Sequence, residues 1–459
     1  MKYTFKSLKN RFKDSALKEK IVAAFIAVLF LCIAVFLIEF VVWTIKGRHA
    51  FALPLFHQDK IDAFMDFFNV NYFVSGGRNP YTDPDCLSNY PPFALLIAKF
   101  FALFGDYSSI EGLSARGVAM SVRSSAGGII SLVLFFLVLF IGNFFALRGL
   151  LKKLRFSRRE RLLISVVFAL SAPVLFLFQR ANYLGFSLLF VLIFLDLYDS
   201  ESKWLREVSY ISLAMAFGVK LYPVVFGYLL LRDRRWLAVL RLVLYCLLFF
   251  FVPFLFFNGG VSNVGAFLHN VFAFSSTDAA YMYHNYAPYQ IVYTVAGLFS
   301  SGTLGSTAIL ICKIFSYAIA ACCVACMLVC EKRWQSMLAA ALFTVYVVSP
   351  SYLYVGVMLL IPVAYFLAEE EKNNADYVTL VLFIVLLQPL YLGYMIDLAG
   401  TITYDVTVSV FLQALAMLGL FIVCVCGGVS SAKKRMTGKR RGTEHGEGES
   451  KDGAEHQSA

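Results

Sequence analysis

Two carboxylates, Asp62 and Asp66, stand four residues apart in a polar stretch after the first long apolar run. Residues i and i+4 share one face of a helix, so both side chains would point the same way. Neighbouring carboxylates raise each other's pKa, which prepares one of them to act as a general base. The alternative is that both form the wet face of an amphipathic helix. We predict Asp66 as the base and keep Asp62 as its rival.

Lys220 is the most unusual cation, because it lies within the apolar segment 208–231, three residues before Pro223. A lysine at membrane depth is costly unless it meets a cavity or an anion, and a phosphate is a suitable partner. Snorkelling towards a lipid headgroup is the alternative. A helix interrupted at an ionisable residue is typical of a buried polar site.

Other polar residues lie at predicted loop positions. Gln179, Arg180 and Asn182 cluster at a predicted helix end, where Arg180 is suited to pair with a phosphate; an ordinary polar turn is the alternative. His284 and Asn285 are flanked by tyrosines, which suits a sugar or phosphate contact. The sequence contains no glycine-rich phosphate loop, no HExxH motif and no pair of CxxC motifs, so it indicates no nucleotide site and does not require a metal.

The elements that position these residues are membrane helices. Of 459 residues, 60% are hydrophobic and 15% are charged, more apolar surface than a soluble core can hide. Several continuous runs reach the roughly 20 residues that a bilayer requires. The composition therefore predicts an all-α polytopic membrane protein in contact with the lipid bilayer.

The placement of basic residues predicts the topology. The net charge is +11, and short Lys/Arg clusters flank the apolar runs. The positive-inside rule places these clusters and both termini in the cytoplasm, and it excludes nucleic acid as the reason for the charge. We predict one membrane domain over 1–427 and a disordered basic tail over 428–459. The predicted first outer loop, 46–124, would carry two interfacial helices, Ile61–Phe73 and Phe93–Phe104.

The predicted path has about twelve spans, counting 208–231 as two half-helices that enter and return. The predicted spans and half-helices are 20–45, 125–148, 161–178, 183–198, 208–231, 236–257, 305–330, 336–349, 351–367, 376–395 and 405–427.

Four landmarks in this order resemble the polytopic glycosyltransferases of family 87, within the GT-C superfold. They are Asp66-Phe67-Phe68 leading to Asn79-Pro80-Tyr81, then Tyr90-Pro91-Pro92, then Gln179 to Asn182, then Lys220-Leu221-Tyr222-Pro223 with Arg232–Arg235. The resemblance covers roughly residues 20–370. It implies a GT-C-like fold that transfers a hexose, mannose by default, from a polyprenyl-phosphate donor to a glycan or glycolipid acceptor.

The resemblance also implies roles for individual residues. Asp66 would deprotonate the acceptor hydroxyl, while Lys220, with Arg180 or His284, would bind the donor phosphate. The anomeric configuration would invert, no cofactor would be required, and the site would face outwards from the plasma membrane. Tyr90, Gln179, Asn182 and Asn285 are the implied substrate ligands. The sequence departs from the family after Ser349-Pro350, where tyrosines replace histidine, so either His284 or Tyr354 is the further phosphate ligand.

Two other functions fit parts of the sequence. A lipid-linked-sugar flippase would explain Lys220 and the broken helix, but not the paired carboxylates of a long outer loop. A polymerase or ligase that uses a lipid-diphosphate donor would require more arginines than the outer loops provide, which are Arg78, Arg116, Arg123 and Arg180.

Overall fold

The computed structural model describes residues 2–47, 62–108, 113–276, 285–286, 288–299, 306–348, 351–398 and 402–449. The first nine helices are α1 (Lys2–Lys46), α2 (Met65–Phe73), α3 (Pro92–Ala102), α4 (Ala115–Arg123), α5 (Ala126–Lys153), α6 (Arg158–Ala169), α7 (Ala172–Arg180), α8 (Leu184–Leu197) and α9 (Lys203–Val219). The others are α10 (Tyr228–Arg232), α11 (Trp236–Phe251), α12 (Asn263–Ser276), α13 (Pro288–Phe299), α14 (Ser306–Val329), α15 (Arg333–Tyr346), α16 (Leu360–Ala368), α17 (Asp376–Leu387) and α18 (Val408–Glu449).

The helices that could cross a membrane are fewer than the sequence predicts. Within the described residues, five are long and apolar enough: Leu17–Lys46, Ala126–Lys153, Trp236–Phe256, Ser306–Val329 and Val408–Thr437. The pair α6 and α7 makes a sixth candidate, bent by 53°. The predicted twelve spans are not reached, because several apolar runs fold into helices too short to count as full spans, such as the 14-residue α8.

The predicted break at Lys220 is present. α9 ends at Val219, Lys220 adopts an extended conformation, and a 3-10 helix over Tyr222–Gly227 follows. Both flanks of this segment lie at the same end of the bundle, since Arg235 Nη1 donates to the carbonyl oxygen of Tyr198 at 2.9 Å. This placement matches the predicted pair of half-helices.

The predicted span 376–395 is wrong at its C-terminal end. α17 stops at Leu387, and Gln388 is extended because the following Pro389 disfavours a helical conformation in the residue before it. A two-stranded hairpin comes next, with β1 (Gly393–Leu398) antiparallel to β2 (Ile402–Thr407). α18 then continues as a helix past Gly427. The disordered tail stays a prediction.

The segment between α1 and α5 packs into an apolar core that it shares with Phe135 of α5, Phe186 of α8 and Phe267 of α12. α2 and α3 form close to their predicted positions, and α4 is a third helix that the sequence analysis missed. Phe67 and Phe68 of α2 are fully buried, so α2 is packed on more than one side. A larger core joins α6 to α11 with α14 to α18. Whether α2 and α3 lie at the membrane interface stays a prediction.

The bundle has two polar ends. The Tyr198 end is where Lys153, Arg235 and Arg333 gather around the Tyr198 ring. The Asp66 end is where the N-terminus of α2, the C-terminus of α7 and the break after α9 meet. Most of the candidate residues predicted from the sequence lie at the Asp66 end.

Candidate active site

Arg180 lies between the two predicted carboxylates. Its Nη2 donates to Asp66 Oδ1 at 2.5 Å, and its Nη1 contacts Asp62. All three side chains are largely shielded, with 14% of Asp66, 25% of Asp62 and 20% of Arg180 exposed. The spacing of the two carboxylates alone predicts that they repel each other. The intervening guanidinium neutralises that repulsion and fixes both side chains in place.

Asn182 connects Asp66 to Tyr90. Its Nδ2 donates to Asp66 Oδ2 at 2.6 Å and to Tyr90 Oη at 3.2 Å. Its Oδ1 accepts from the backbone N–H of Leu184 at 2.9 Å, which orients the amide. Burial, followed by the Asp66 carboxylate, raises the pKa of Tyr90 well above its ordinary value. Tyr90 therefore keeps its hydroxyl proton.

Lys220 covers the face of the same tyrosine. Its Nζ lies 3.7 Å from the centroid of the Tyr90 ring, a close cation–π contact. Asp66 is near enough to act electrostatically on this ammonium. Among the described residues, the structure shows no hydrogen bond from Lys220 Nζ. An ammonium group carries three donors, so this one is available to an anionic ligand.

Two strained turns hold the carboxylate and the guanidinium together. Phe64, just before α2, has φ 63°, and Ala181, just after α7, has φ 50°. Left-handed backbone is uncommon for residues with a Cβ and costs roughly 1–2 kcal/mol. The turns are joined directly, because the N–H of Phe64 donates to the carbonyl oxygen of Gln179 at 2.7 Å. Such strain is typical of functional sites.

α4 supports the first of these turns. Arg116 Nη2 donates to Asp62 Oδ1 at 3.1 Å, and Arg123 Nη1 donates to the carbonyl oxygen of Ala63 at 2.8 Å. The sequence carries a signal for this helix: Ser114 is a side-chain cap that accepts from the N–H of Gly117.

The Asn79-Pro80-Tyr81 landmark supports the site through hydrogen bonds to neighbouring segments. Asn79 Nδ2 donates to the carbonyl oxygen of Asn258 at 2.8 Å and to Asn263 Oδ1 at 2.9 Å. Tyr81 Oη donates to the carbonyl oxygen of Tyr90 at 3.1 Å. This landmark therefore ties its loop to the start of α12 and positions Tyr90.

The predicted ligands later in the chain are partly at the site. Tyr354 stacks on Phe176 of α7, with ring centroids 6.0 Å apart, and lies within electrostatic reach of Asp66 and Tyr90. Asn285 is buried and forms a backbone bridge to Tyr352. His284 lies outside the described residues.

Gln179 completes the set of predicted residues. Its side chain is 2% exposed, and no described residue hydrogen-bonds to its Oε1. Among the residues with described side chains, no group of three or more His, Cys, Asp or Glu is arranged to hold a metal ion. The arrangement combines an ion-paired carboxylate, which can accept a proton, with a cation that can bind an anion.

Comparison with known proteins identifies a family. The model of glycosyltransferase family 87 matches residues 89–350, more than half of the chain. The match includes Tyr90, Arg180, Asn182 and Lys220, and it begins after Asp66. No curated protein matches the chain in a sequence search.

Proposed function

Because this chain belongs to glycosyltransferase family 87, we propose that it transfers a hexose from a polyprenyl-phosphate donor to an acceptor hydroxyl at the Asp66 end. Mannose is the default donor sugar. The observation that carries the proposal is the pairing of Asp66, held as a hydrogen-bond acceptor, with Lys220, whose ammonium has no described hydrogen bond. A base and an anion-binding cation are what an inverting transfer from a phosphate leaving group requires.

In the proposed reaction, Asp66 accepts the proton of the acceptor hydroxyl as that oxygen attacks the anomeric carbon. The bond between the anomeric carbon and the phosphate oxygen breaks on the opposite face, so the configuration inverts. The electron pair of that bond leaves with the polyprenyl phosphate, whose increased negative charge is stabilised by Lys220. Holding the acceptor beside Asp66 makes the attack effectively unimolecular.

The neighbours of Asp66 position it. The resemblance implies that Arg180 binds the donor phosphate, but both of its terminal nitrogens contact carboxylates. We assign Arg180 instead to aligning Asp66 and Asp62. Asn182 orients the second oxygen of Asp66 and reaches Tyr90, whose ring seats Lys220. Gln179, Asn285, Tyr354 and His284 remain proposed contacts for the sugar or its phosphate.

The basic residues at the opposite end of the bundle support the proposed side of the membrane for the site. Lys153, Arg235 and Arg333 gather at the Tyr198 end, and the positive-inside rule assigns such clusters to the cytoplasm. The Asp66 end would then face the outside of the plasma membrane, where the acceptor would be a glycan or a glycolipid. No cofactor or metal enters the proposed reaction.

A diphosphate-linked donor is less favoured, because the outer arginines already have partners in the protein. Arg116 and Arg180 bind Asp62, while Arg78 and Arg123 donate to backbone carbonyl oxygens. A flippase requires no base, so a carboxylate held by an arginine and an asparagine favours the transferase.

The test is sugar transfer by the purified full-length protein in nanodiscs with a panel of polyprenyl-phosphate hexoses. We expect wild type to release polyprenyl phosphate and to glycosylate an acceptor from a cell-envelope lipid extract. Asp66→Asn should lower this release by about 10²- to 10⁴-fold per folded molecule. The proposal is wrong if no donor is consumed while the protein moves the intact lipid across the bilayer.

A further inference from the structure

An open cavity of about 430 Å³ lies away from Asp66, where α2 and α3 end. Its walls are the turn Val74–Arg78, the end of α3 with Lys99 and Leu103, the loop 105–108, and Phe256–Asn258. None of the residues assigned to sugar transfer lines it.

The distance from the active site follows from the two helices. α2 begins beside Asp66 and runs to the cavity wall at Val74, eight residues later. At 1.5 Å per residue this is about 12 Å. α3 likewise begins just after Tyr90 and reaches the cavity at Lys99. The cavity is therefore a separate site on the same segment of the protein.

Two cations are fixed in its wall. Arg78 lies over the Tyr72 ring at 4.1 Å, and its Nη1 donates to the carbonyl oxygens of Ser75 at 3.0 Å and Tyr107 at 3.3 Å. Lys99 Nζ donates to the carbonyl oxygen of Phe256 at 3.1 Å. These contacts with carbonyl oxygens and a ring face orient the guanidinium of Arg78 and the ammonium of Lys99.

One carboxylate accompanies the cations. Asp106 lines the cavity and accepts from the hydroxyl and the N–H of Ser108, which lower its pKa. The three charged residues therefore sum to one positive charge. A phosphate would contact the cations, while the carboxylate is placed to accept from hydroxyl groups on the same ligand.

The lip of the cavity is apolar. Leu103 and Phe256 line it and are 76% and 55% exposed, and the neighbouring Phe100 is 56% exposed. Large apolar side chains exposed on a membrane protein face lipid, and cations beside aromatic rings are typical of the headgroup level. A ligand with an anionic head and an apolar tail fits both the charged wall and the apolar lip of the cavity. A free anion fits only the charged wall.

We propose that this cavity binds the phosphate headgroup of an anionic membrane lipid, with the acyl chains along Leu103 and Phe256. The cavity is a binding site additional to the donor site, and the proposal does not depend on sugar transfer. The lipid would anchor the C-terminal ends of α2, which carries Asp66 in its first turn, and of α3, which begins just after Tyr90.

The experiment uses full-length protein in phosphatidylcholine nanodiscs that contain a photoactivatable phosphatidylglycerol. We expect crosslinks on residues 99–108 and 252–258. Lys99→Gln should reduce labelling there roughly five-fold, the effect of about one charge near a lipid headgroup. Lys99→Arg should retain it. Lys152→Gln removes the same charge from an exposed position on α5 at the other end and should leave the labelling unchanged.

A competition separates the two sources of phosphate. Soluble glycerol phosphate at millimolar concentration should not displace the lipid probe, because it lacks the apolar part. Displacement would show a site for a free phosphate compound and would overturn the lipid assignment. Equal labelling of wild type and a Lys99→Gln variant with an unchanged unfolding temperature would overturn the site itself.

Discussion

The protein places a tyrosine beneath cations at each end of its bundle, but the two ends use them differently. At the Tyr198 end, Lys153 and Arg333 lie 4.7 and 5.7 Å from the ring centroid. At the Asp66 end, Lys220 lies over the Tyr90 ring, 3.7 Å from its centroid. The decisive difference is in what else each cation contacts.

The cations at the Tyr198 end donate hydrogen bonds to acceptors in the protein. Lys153 Nζ donates to the carbonyl oxygens of Leu195 at 2.7 Å and Asp196 at 3.0 Å, and it contacts the Asp199 carboxylate. Arg333 contacts the Tyr198 hydroxyl.

Lys220 has a ring face and, among described residues, no hydrogen bond. A charge whose donors are satisfied stabilises a fold, whereas a charge with unused donors favours a ligand. We therefore propose a structural role for the Tyr198 end and a functional role for the Asp66 end.

The largest expected effect is at Asp66. Asp66→Asn keeps the shape but removes the base, so we expect the rate of transfer to fall by about 10²- to 10⁴-fold. Asp62→Asn removes one contact of Arg180 and should cost about ten-fold, the value of one charge-assisted hydrogen bond. Release of polyprenyl phosphate measures both. A larger loss for Asp62→Asn would make Asp62 the base.

The next effect is on stability, at the other end. Arg333→Gln leaves the Tyr198 hydroxyl without its cation, which should lower the free energy of unfolding by roughly 1–3 kcal/mol. Thermal unfolding in detergent measures this, with the exposed Arg159→Gln as the control. Transfer per folded molecule should stay at the wild-type value. A specific loss of turnover without loss of stability would contradict the structural reading of this end.

A smaller effect is expected from Tyr90→Phe. The ring under Lys220 remains, but the hydroxyl that accepts from Asn182 is lost. We expect a few-fold fall in kcat with an unchanged KM for the donor, since one neutral hydrogen bond is worth about 1 kcal/mol. Tyr90→Leu, which also removes the cation–π contact, should raise KM as well. If both variants raise KM equally, the ring does not seat Lys220.

The smallest effect is expected at Ala181. Ala181→Gly relieves a left-handed backbone conformation but adds freedom to the unfolded chain, so the unfolding temperature should not fall. Ala214→Gly, within α9, should lower stability by about 1 kcal/mol. A comparable loss for both variants would show that the turn at Ala181 is not strained.

Much of the site could be predicted from sequence because its signals are local. The break at Lys220 follows from a charge and a proline in an apolar run, and Asp66, Tyr90, Asn182 and Lys220 do come together. The contacts of Arg180 could not be predicted, since they join residues more than 110 positions apart. Their geometry depends on how α7 packs against the segment before α5.

The predicted count of twelve spans is not confirmed by the described residues. Hydropathy reports apolar runs but not where a run breaks. The end of α17 before Pro389 was readable from the proline itself. Apolar periodicity does not indicate α4. The N-terminal cap residue Ser114 is the better sequence signal for this helix.

The most direct test of the contrast between the two ends makes the same substitution, lysine to glutamine, at each end. Lys220→Gln and Lys153→Gln each remove one ammonium group beside a tyrosine. We predict that Lys220→Gln lowers transfer at least ten-fold with an unchanged unfolding temperature, and that Lys153→Gln lowers the unfolding temperature with unchanged transfer per folded molecule. If Lys153→Gln abolishes transfer while Lys220→Gln only destabilises the fold, the assignment of the two ends is contradicted.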